Sequence, residues 1–127
     1  MIVNREDIME NLELLINTIV EAIDDKKGQG IVSLDLSGFD GAICSNFVVC
    51  HADSTTQVDA ISQSIEEKVF EVMHEWPVRV EGRQNSFWVA MDYTDVIVHI
   101  FQTDLRDFYR LEELWADAPM KKYEFGE

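Results

Sequence analysis

The first apolar pattern along the chain is that of an amphipathic helix. Asn4 is a candidate cap, and Lys26 and Lys27 precede Gly28, a typical residue at a helix end. We therefore predict a first helix between Asn4 and Gly28. Its apolar stripe, at steps of three and four positions, consists of Ile8, Leu12, Leu15, Ile16, Ile19 and Ile23.

Two short apolar segments follow this helix and predict strands. The first is IVSLDL, residues 31–36, and a loop that contains glycine separates it from the second, NFVVCHA, residues 46–52. The second segment is nearly all apolar, which is typical of a strand that is buried on both faces of a sheet.

A capping box marks the start of a second helix. Ser54 and Gln57 have the spacing in which each side chain satisfies a backbone amide of the first turn. The helix should run to about residue 74, before Pro77, and VRVEG, residues 78–82, then predicts a short strand. The apolar positions of this helix are Val58, Ile61, Ile65, Val69 and Val72.

The segment FWVAMDYTDVIVHIF, residues 87–101, predicts a β-hairpin. A tip at residues 93–94, or one spanning residues 92–95, pairs Met91 with Val96, Val89 with Val98 and Trp88 with His99. Because side chains alternate between faces, one face should be apolar core and the other amphipathic. The core face would carry Phe87, Val89, Met91, Val96, Val98 and Ile100, and the amphipathic face Trp88, Ala90, Asp92, Asp95, Ile97 and His99.

A last helix, capped by Thr103 or Asp104, completes the predicted order α-β-β-α-β-β-β-α. This order predicts an α/β fold with a mixed β-sheet of about five strands packed with helices. The 127 residues, without repeats or linkers, predict a single domain over residues 1–120 and a C-terminal tail over residues 121–127. The apolar residues of the last helix are Leu105, Phe108, Leu111 and Leu114.

The charge balance favours a protein partner over a nucleic acid. The chain has 25 acidic and 10 basic residues, a formal net charge of −15 and a pI of about 4.3. Such a surface repels phosphate backbones and attracts a cationic protein, so no direct sequence-specific contact with nucleic acid is expected. The alternative interpretation is that the acidity only keeps the protein soluble.

The location that the sequence favours is the cytoplasm. No apolar run approaches the roughly 20 residues that cross a bilayer, so no membrane association is expected. The acidic N-terminus is unlike a secretory leader, and Cys44 and Cys50 are therefore expected to be reduced thiols.

Catalytic chemistry has weak support in the sequence. A metal-dependent phosphotransfer enzyme of nucleotidyltransferase type is the alternative function, because several aspartates offer carboxylates. No glycine-rich phosphate loop accompanies them, and the cysteines and histidines lack zinc-type spacing. We expect no catalytic residue, metal or cofactor, and hence no enzyme. The aspartates are Asp35, Asp40, Asp92 and Asp95.

The second half of the chain closely resembles the ribosomal silencing factor S family, also called the Iojap-related family. The resemblance covers roughly residues 5–119 and is weaker in the N-terminal half. It rests on Glu81-Gly82, Trp88, Asp92-Tyr93, Asp95-Val96, Val98-His99, Arg106, Tyr109, Leu111-Glu112, Leu114-Trp115 and Asp117-Ala118-Pro119. One departure is Thr94, where the family frequently has a hairpin glycine; a positive φ there would cost about 1 kcal/mol.

The resemblance implies a fold like that of nucleotidyltransferases, without known catalysis. It also implies binding to the large ribosomal subunit through its fourteenth protein, which blocks association with the small subunit. Translation would thereby be repressed under nutrient limitation. The protein itself is expected to be a monomer or a weak homodimer.

The partner contacts implied by the resemblance centre on the fourth strand and its turn. Trp88, Val89, Asp92 and Tyr93 form this predicted surface; Trp88 and Tyr93 would supply apolar area and Asp92 would pair with a basic residue. Val89 falls on the core face of the hairpin and would support the surface. A second group, His99, Tyr109, Leu111 and Trp115, would extend or support it.

Two structural alternatives stay open for this predicted surface. In one, a helix covers the amphipathic face and His99 is a hydrogen-bonded core histidine. In the other, Trp115 only docks the last helix onto the core.

Overall fold

The computed structural model describes residues 5–125, apart from the side chains of Arg5, Phe108, Tyr109 and Glu112. The elements are α1 (Arg5–Asp25), β1 (Gln29–Asp35), β2 (Asn46–Ala52), α2 (Thr55–Met73), β3 (Arg79–Glu81), β4 (Trp88–Asp92), β5 (Val96–Gln102), α3 (Thr103–Tyr109), α4 (Leu111–Leu114) and β6 (Met120–Lys122). The predicted cap Asn4 lies outside the described residues.

The sheet is mixed and has the strand order β3-β4-β5-β2-β1-β6. β2 and β5 pair in parallel, and the other neighbours are antiparallel. The predicted α/β class with a mixed sheet is confirmed. The sixth strand, β6, was not predicted; it adds to the free edge of β1.

The sheet has a buried core on each face. On the first face, α1 and α2 pack over the sheet and bury apolar side chains of β1, β2, β4 and β5. On the second face, the loop after β1, α3 and the α4 region cover β1, β2 and part of β5. β2 is buried on both sides, as its nearly continuous apolar sequence predicted.

The hairpin register differs from the prediction by two positions. Met91 pairs with Val98, Val89 with Ile100 and Trp88 with Phe101, so the predicted pairs were wrong. The physical reason lies in the turn: the Asp92 carboxylate accepts a hydrogen bond from the Thr94 N–H at 2.7 Å, and the tip moves to residues 94–95. A shift of two residues preserves the alternation, so the strand residues keep their predicted faces.

Two further details of the hairpin bear on the predictions, and the one for Phe87 was wrong. Thr94 has a φ of 76°, so the tip does require a positive φ at this residue. Phe87, which was predicted to be in the core, precedes β4 and is exposed.

Of the predicted helix caps, Ser54 is confirmed, whereas the return bond from Gln57 and the cap by Thr103 are not formed. Ser54 Oγ accepts the Gln57 N–H at 3.1 Å, but the Gln57 amide side chain donates to the carbonyls of Lys26 and Lys27 at 3.0 and 3.2 Å. Gln57 therefore joins α2 to the end of α1. Thr103 does not cap α3, because its hydroxyl donates to Asp53 at 2.7 Å.

The C-terminal end of α1 turns at Lys27, which has a φ of 62°. The N–H groups of Lys27 and Gly28 donate to the carbonyls of Asp24 and Ile23 at 2.9 and 3.0 Å, the two bonds of a Schellman motif. Gly28 is needed for space, since a Cβ there would collide with the Ile23 side chain. The left-handed position is thus held by a lysine.

We predict that Lys27→Gly stabilises the protein by about 1 kcal/mol, because glycine adopts this φ without steric cost. Urea unfolding measures the change in free energy. Lys27→Ala is the matched control, since it removes the same side chain but keeps the strained Cβ, and it should give no gain. Equal stabilities of the two variants would contradict this explanation.

Candidate partner-binding surface

Strand alternation separates the residues predicted to contact a partner. Trp88 and Asp92 lie on the second face of the sheet, whereas Val89 and Tyr93 point to the first face beneath the helices. Val89 has no exposed surface and Tyr93 is only 5% exposed. In this conformation Val89 and Tyr93 therefore support the strand from below, and the apolar contact area predicted for Tyr93 is not available at the surface.

Trp88 is half-buried and held in one orientation by two neighbours. Its ring stacks on Phe101 with centroids 4.9 Å apart and planes at 28°. Its indole N–H donates to Nδ1 of His99 at 3.1 Å. The side chain is thus fixed before any partner arrives.

His99 is a core histidine that orients Trp88. It is 8% exposed, packs edge-on against Phe47, and burial lowers its pKa to about 4. The ring is therefore neutral at pH 7, and because Nδ1 accepts from Trp88, the proton resides on Nε2. Nε2 is buried without a hydrogen-bond partner among the described residues. His99 is therefore placed to orient Trp88 and offers little surface of its own to a partner.

Trp115 docks the C-terminal region onto the second face. Its ring packs edge-on against Phe39 and Phe47, with centroid distances of 5.2 and 5.9 Å. Leu111 is half-buried against the same cluster. The side chain of Tyr109 lies outside the described residues. The α4 region thus acts as a cover over β1 and β2.

One part of the second face is only partly covered by the side chains that the structure describes. We call Trp88, Ala90, Asp92 and Ile97 the open face, and all four are half-buried. The first three lie on β4, next to the edge strand β3, and Ile97 lies on β5, where it pairs with Asp92.

Charged groups border the open face. Arg79 pairs with Asp92 and Glu81 with Ala90 across the β3–β4 ladder, so Arg79 and Glu81 point to the same side as Trp88. They form an exposed ion pair at 3.7 Å. Arg79 and Glu81 were predicted to lie in a short strand but not at the contact surface, because the pairing of this strand with β4 could not be predicted from its sequence.

The two thiols are poor nucleophiles. Burial raises the pKa of Cys44 to about 11 and that of the fully buried Cys50 to about 12. Asp92 and Asp95 add a smaller electrostatic contribution to the raised pKa of Cys44. Both cysteines therefore remain protonated thiols at neutral pH.

Residues 5–125 lack two kinds of functional feature. No group of three or more His, Cys, Asp or Glu residues in this range has the geometry of a metal site. None of the helices in the same range has the length and apolar composition that a membrane span requires.

Residues 9–126 match the family model described as ribosomal silencing factor during starvation. The chain belongs to the ribosomal silencing factor family. Membership confirms the resemblance that the motifs of its second half indicated.

Individual members of the ribosomal silencing factor family are similar over nearly the whole chain. The ribosomal silencing factor RsfS of Halalkalibacterium halodurans is 40% identical over 116 residues, which are 91% of this chain and 97% of the relative. RsfS of Bacillus subtilis is 35% identical with the same coverage. A crystal structure of a protein from Chromobacterium violaceum superposes with a TM-score of 0.77 at 31% identity, covering 91% of this chain and 92% of the other.

The burial of His99 predicts an acid-sensitive contribution to stability. As the pH falls from about 6.5 to about 4, the unfolded chain protonates this residue before the folded chain does, so the free energy of unfolding decreases. The contribution lost is on the order of 3 kcal/mol. His99→Phe should flatten the pH dependence in this window, as measured by urea unfolding at successive pH values.

The control for this experiment is His74→Gln, which replaces an exposed histidine and leaves His99 in place, so the acid-sensitive contribution assigned to His99 should be retained. An identical pH dependence of the wild type and His99→Phe would contradict the assignment of a buried neutral imidazole.

Proposed function

We propose that this protein binds the large ribosomal subunit through its fourteenth protein and thereby blocks joining of the small subunit. Translation would be repressed in this way when nutrients are limiting, in the cytoplasm and without catalysis. The observation that carries the proposal is the open face, in which a fixed tryptophan is bordered by carboxylates. Membership of the ribosomal silencing factor family supports the same function.

The open face has the apolar component of a binding site. Trp88 offers a large ring whose orientation is already set by Phe101 and His99, so little rotamer freedom is lost on binding. Ala90 and Ile97 provide a low apolar surface beside it. A projecting apolar side chain of the partner can therefore pack against the indole.

The electrostatic component favours a basic protein over RNA. The carboxylates of Asp92 and Glu81 lie at the open face, and Asp95 adds a negative charge at the hairpin tip, whereas the described neighbour Arg79 supplies a guanidinium. The whole chain has a net charge of −15. On a ribosome, such a surface is repelled by phosphates and attracted to a patch of lysine and arginine, which also accelerates association.

The remaining residues of the predicted surface act by support. Val89 and Tyr93 hold β4 against the helices, His99 orients Trp88, and Trp115 with Leu111 keeps the cover in place. Substitutions at these positions should reduce binding only as far as they disturb folding or the Trp88 orientation.

We predict that Trp88→Ala weakens binding to isolated large subunits by about 30-fold or more, since a central aromatic anchor contributes about 2 kcal/mol. Co-sedimentation measures binding, and a subunit-joining assay measures the consequence. Circular dichroism checks that the variant is folded.

Trp76→Ala is the matched control for this substitution. Trp76 is exposed, at 59%, and stacks on Phe70 of α2, the helix that packs on the first face of the sheet. It should bind like the wild type. Loss of binding in Trp76→Ala with retention in Trp88→Ala would overturn the proposed surface.

A second prediction concerns charge. Asp92→Asn keeps an oxygen that can accept the Thr94 N–H but removes the negative charge, so it should slow association and reduce its salt dependence. Stopped-flow measurements at low and physiological salt provide the rates. Glu67→Gln, on an exposed position of α2, changes the net charge equally and should have a much smaller effect. Equal effects of the two substitutions would show that only the overall charge matters.

A further inference from the structure

A concave site lies on the second face of the sheet, at the end where the β4–β5 hairpin turns. It has a volume of about 480 Å³ and is formed between the hairpin tip and the loop that joins β1 to β2. The proposed contact surface does not include this site. We call it the loop pocket; its lining includes Leu36, Phe39, Ile43, Cys44, Thr94 and Asp95.

The loop that forms one wall of the pocket is held at both ends and in its middle. The Leu36 N–H donates to the Ser45 carbonyl at 2.8 Å, which closes the loop. The Ser45 N–H donates to the Asp95 carbonyl at 2.9 Å, which attaches the loop to the hairpin tip. Between these points, the Phe39 ring packs edge-on against Trp115, with centroids 5.2 Å apart. The pocket is therefore formed before any ligand arrives.

Much of the pocket wall is apolar. Four lining residues belong to the second core or pack against it: Leu36, Phe39, Ala42 and Cys44. Ile43 also lines the pocket and is 75% exposed, so it offers apolar area to a ligand. A hydrocarbon chain that entered the pocket would bury its own apolar surface together with that of the wall, which is favourable.

The charge at the loop pocket is negative. The Asp95 carboxylate lines it and, among residues 5–125, takes part in no ion pair or hydrogen bond. Besides burial, the charges of Asp92 and Asp95 raise the pKa of the Cys44 thiol, so both carboxylates lie near the wall. The sequence contains no lysine or arginine between Lys27 and Lys68, so the loop itself supplies no compensating cation.

An apolar wall beside a carboxylate fits a side chain that has an aliphatic stem and a cationic head. Lysine and arginine are built in this way, and they bury the stem on apolar surface while the head pairs with the carboxylate. An RNA phosphate would be repelled by the same carboxylate. A second copy of this chain is a poor occupant, because each copy has a net charge of −15.

The loop pocket is continuous with the open face. Cys44 lies at the end of the loop, and its thiol donates to the carbonyl of Asn46, the first residue of β2, at 3.3 Å. The next residue of β2, Phe47, pairs with Ile97 of the open face. A single partner protein can therefore contact both sites.

We propose that the loop pocket receives a lysine or arginine side chain from the same basic protein that packs on the open face. This inference rests on the proposed function and adds the chemistry of a second contact. An apolar side chain of the partner packs against Trp88, and a basic side chain enters between the loop and the hairpin tip. Its stem contacts Ile43, and its head pairs with Asp95.

Ile43→Ser and Asp95→Asn test the two components of the pocket by co-sedimentation with isolated large subunits. Each substitution should weaken binding about fivefold or more, because the first removes apolar wall and the second removes the charge that attracts the basic head. Both residues are exposed, so the fold should be retained, and circular dichroism checks this. Ile43→Ala provides the same comparison if Ile43→Ser does not fold.

Asp40→Asn is the matched control for the loss of charge. Asp40 is exposed on the same loop but is not a lining residue of the pocket, and its substitution changes the net charge equally. Binding should change less than about twofold, as is usual for an exposed charge outside a contact. Equal weakening by Asp40→Asn and Asp95→Asn would overturn the proposal, since overall charge alone would then explain both.

The same experiment separates this inference from the proposed function. If Trp88→Ala loses binding while Ile43→Ser and Asp95→Asn bind like the wild type, the loop pocket is not a contact and the open face remains one. If the wild-type protein does not bind large subunits, the proposed function fails and this inference fails with it.

Discussion

The alternation of side chains across the central strands β2, β5 and β4 is the constraint on which both the core and the proposed contact surface depend. β2 is hydrogen-bonded on both sides and buried on both faces, so its register with β5 cannot slip without exposing apolar residues. β4 pairs with β5, so the position of β5 also determines which side chains of β4 face the helices. The alternation then sends Val89, Met91 and Tyr93 to the helices, and Trp88, Ala90 and Asp92 to the opposite face.

Support for the open face extends through a series of ring contacts on the covered part of the second face. Trp88 donates to His99, His99 packs on Phe47, and Phe47 packs on Trp115. The orientation of the half-buried Trp88 indole is thus connected to the docking of the C-terminal region. This arrangement gives a physical reason for a histidine in so apolar a strand: a neutral imidazole accepts the indole hydrogen bond and still packs as a ring.

Much of this fold was predictable from the sequence, but the register and the last strand were not. The bounds of β2 followed from its nearly continuous apolar sequence. The start of α2 followed from the capping residue Ser54. The hairpin faces followed from alternation, whereas the pairing depended on the side chain of Asp92 in the turn. β6 has no apolar pattern, because all three residues are exposed and only its backbone pairs with β1. For the site, the sequence indicated Trp88 and Asp92, but treating Tyr93 as part of the turn concealed that it points inward.

The most direct test of the account is hydroxyl-radical footprinting of the complex with large ribosomal subunits, read by mass spectrometry at individual tryptophans. The account predicts that binding slows oxidation of Trp88 several-fold and leaves that of the exposed Trp76 unchanged, since Trp76 packs on Phe70 of α2, on the helix side of the sheet. Unchanged oxidation of Trp88 in a sample shown to be fully bound would contradict the central claim that this indole contacts the partner.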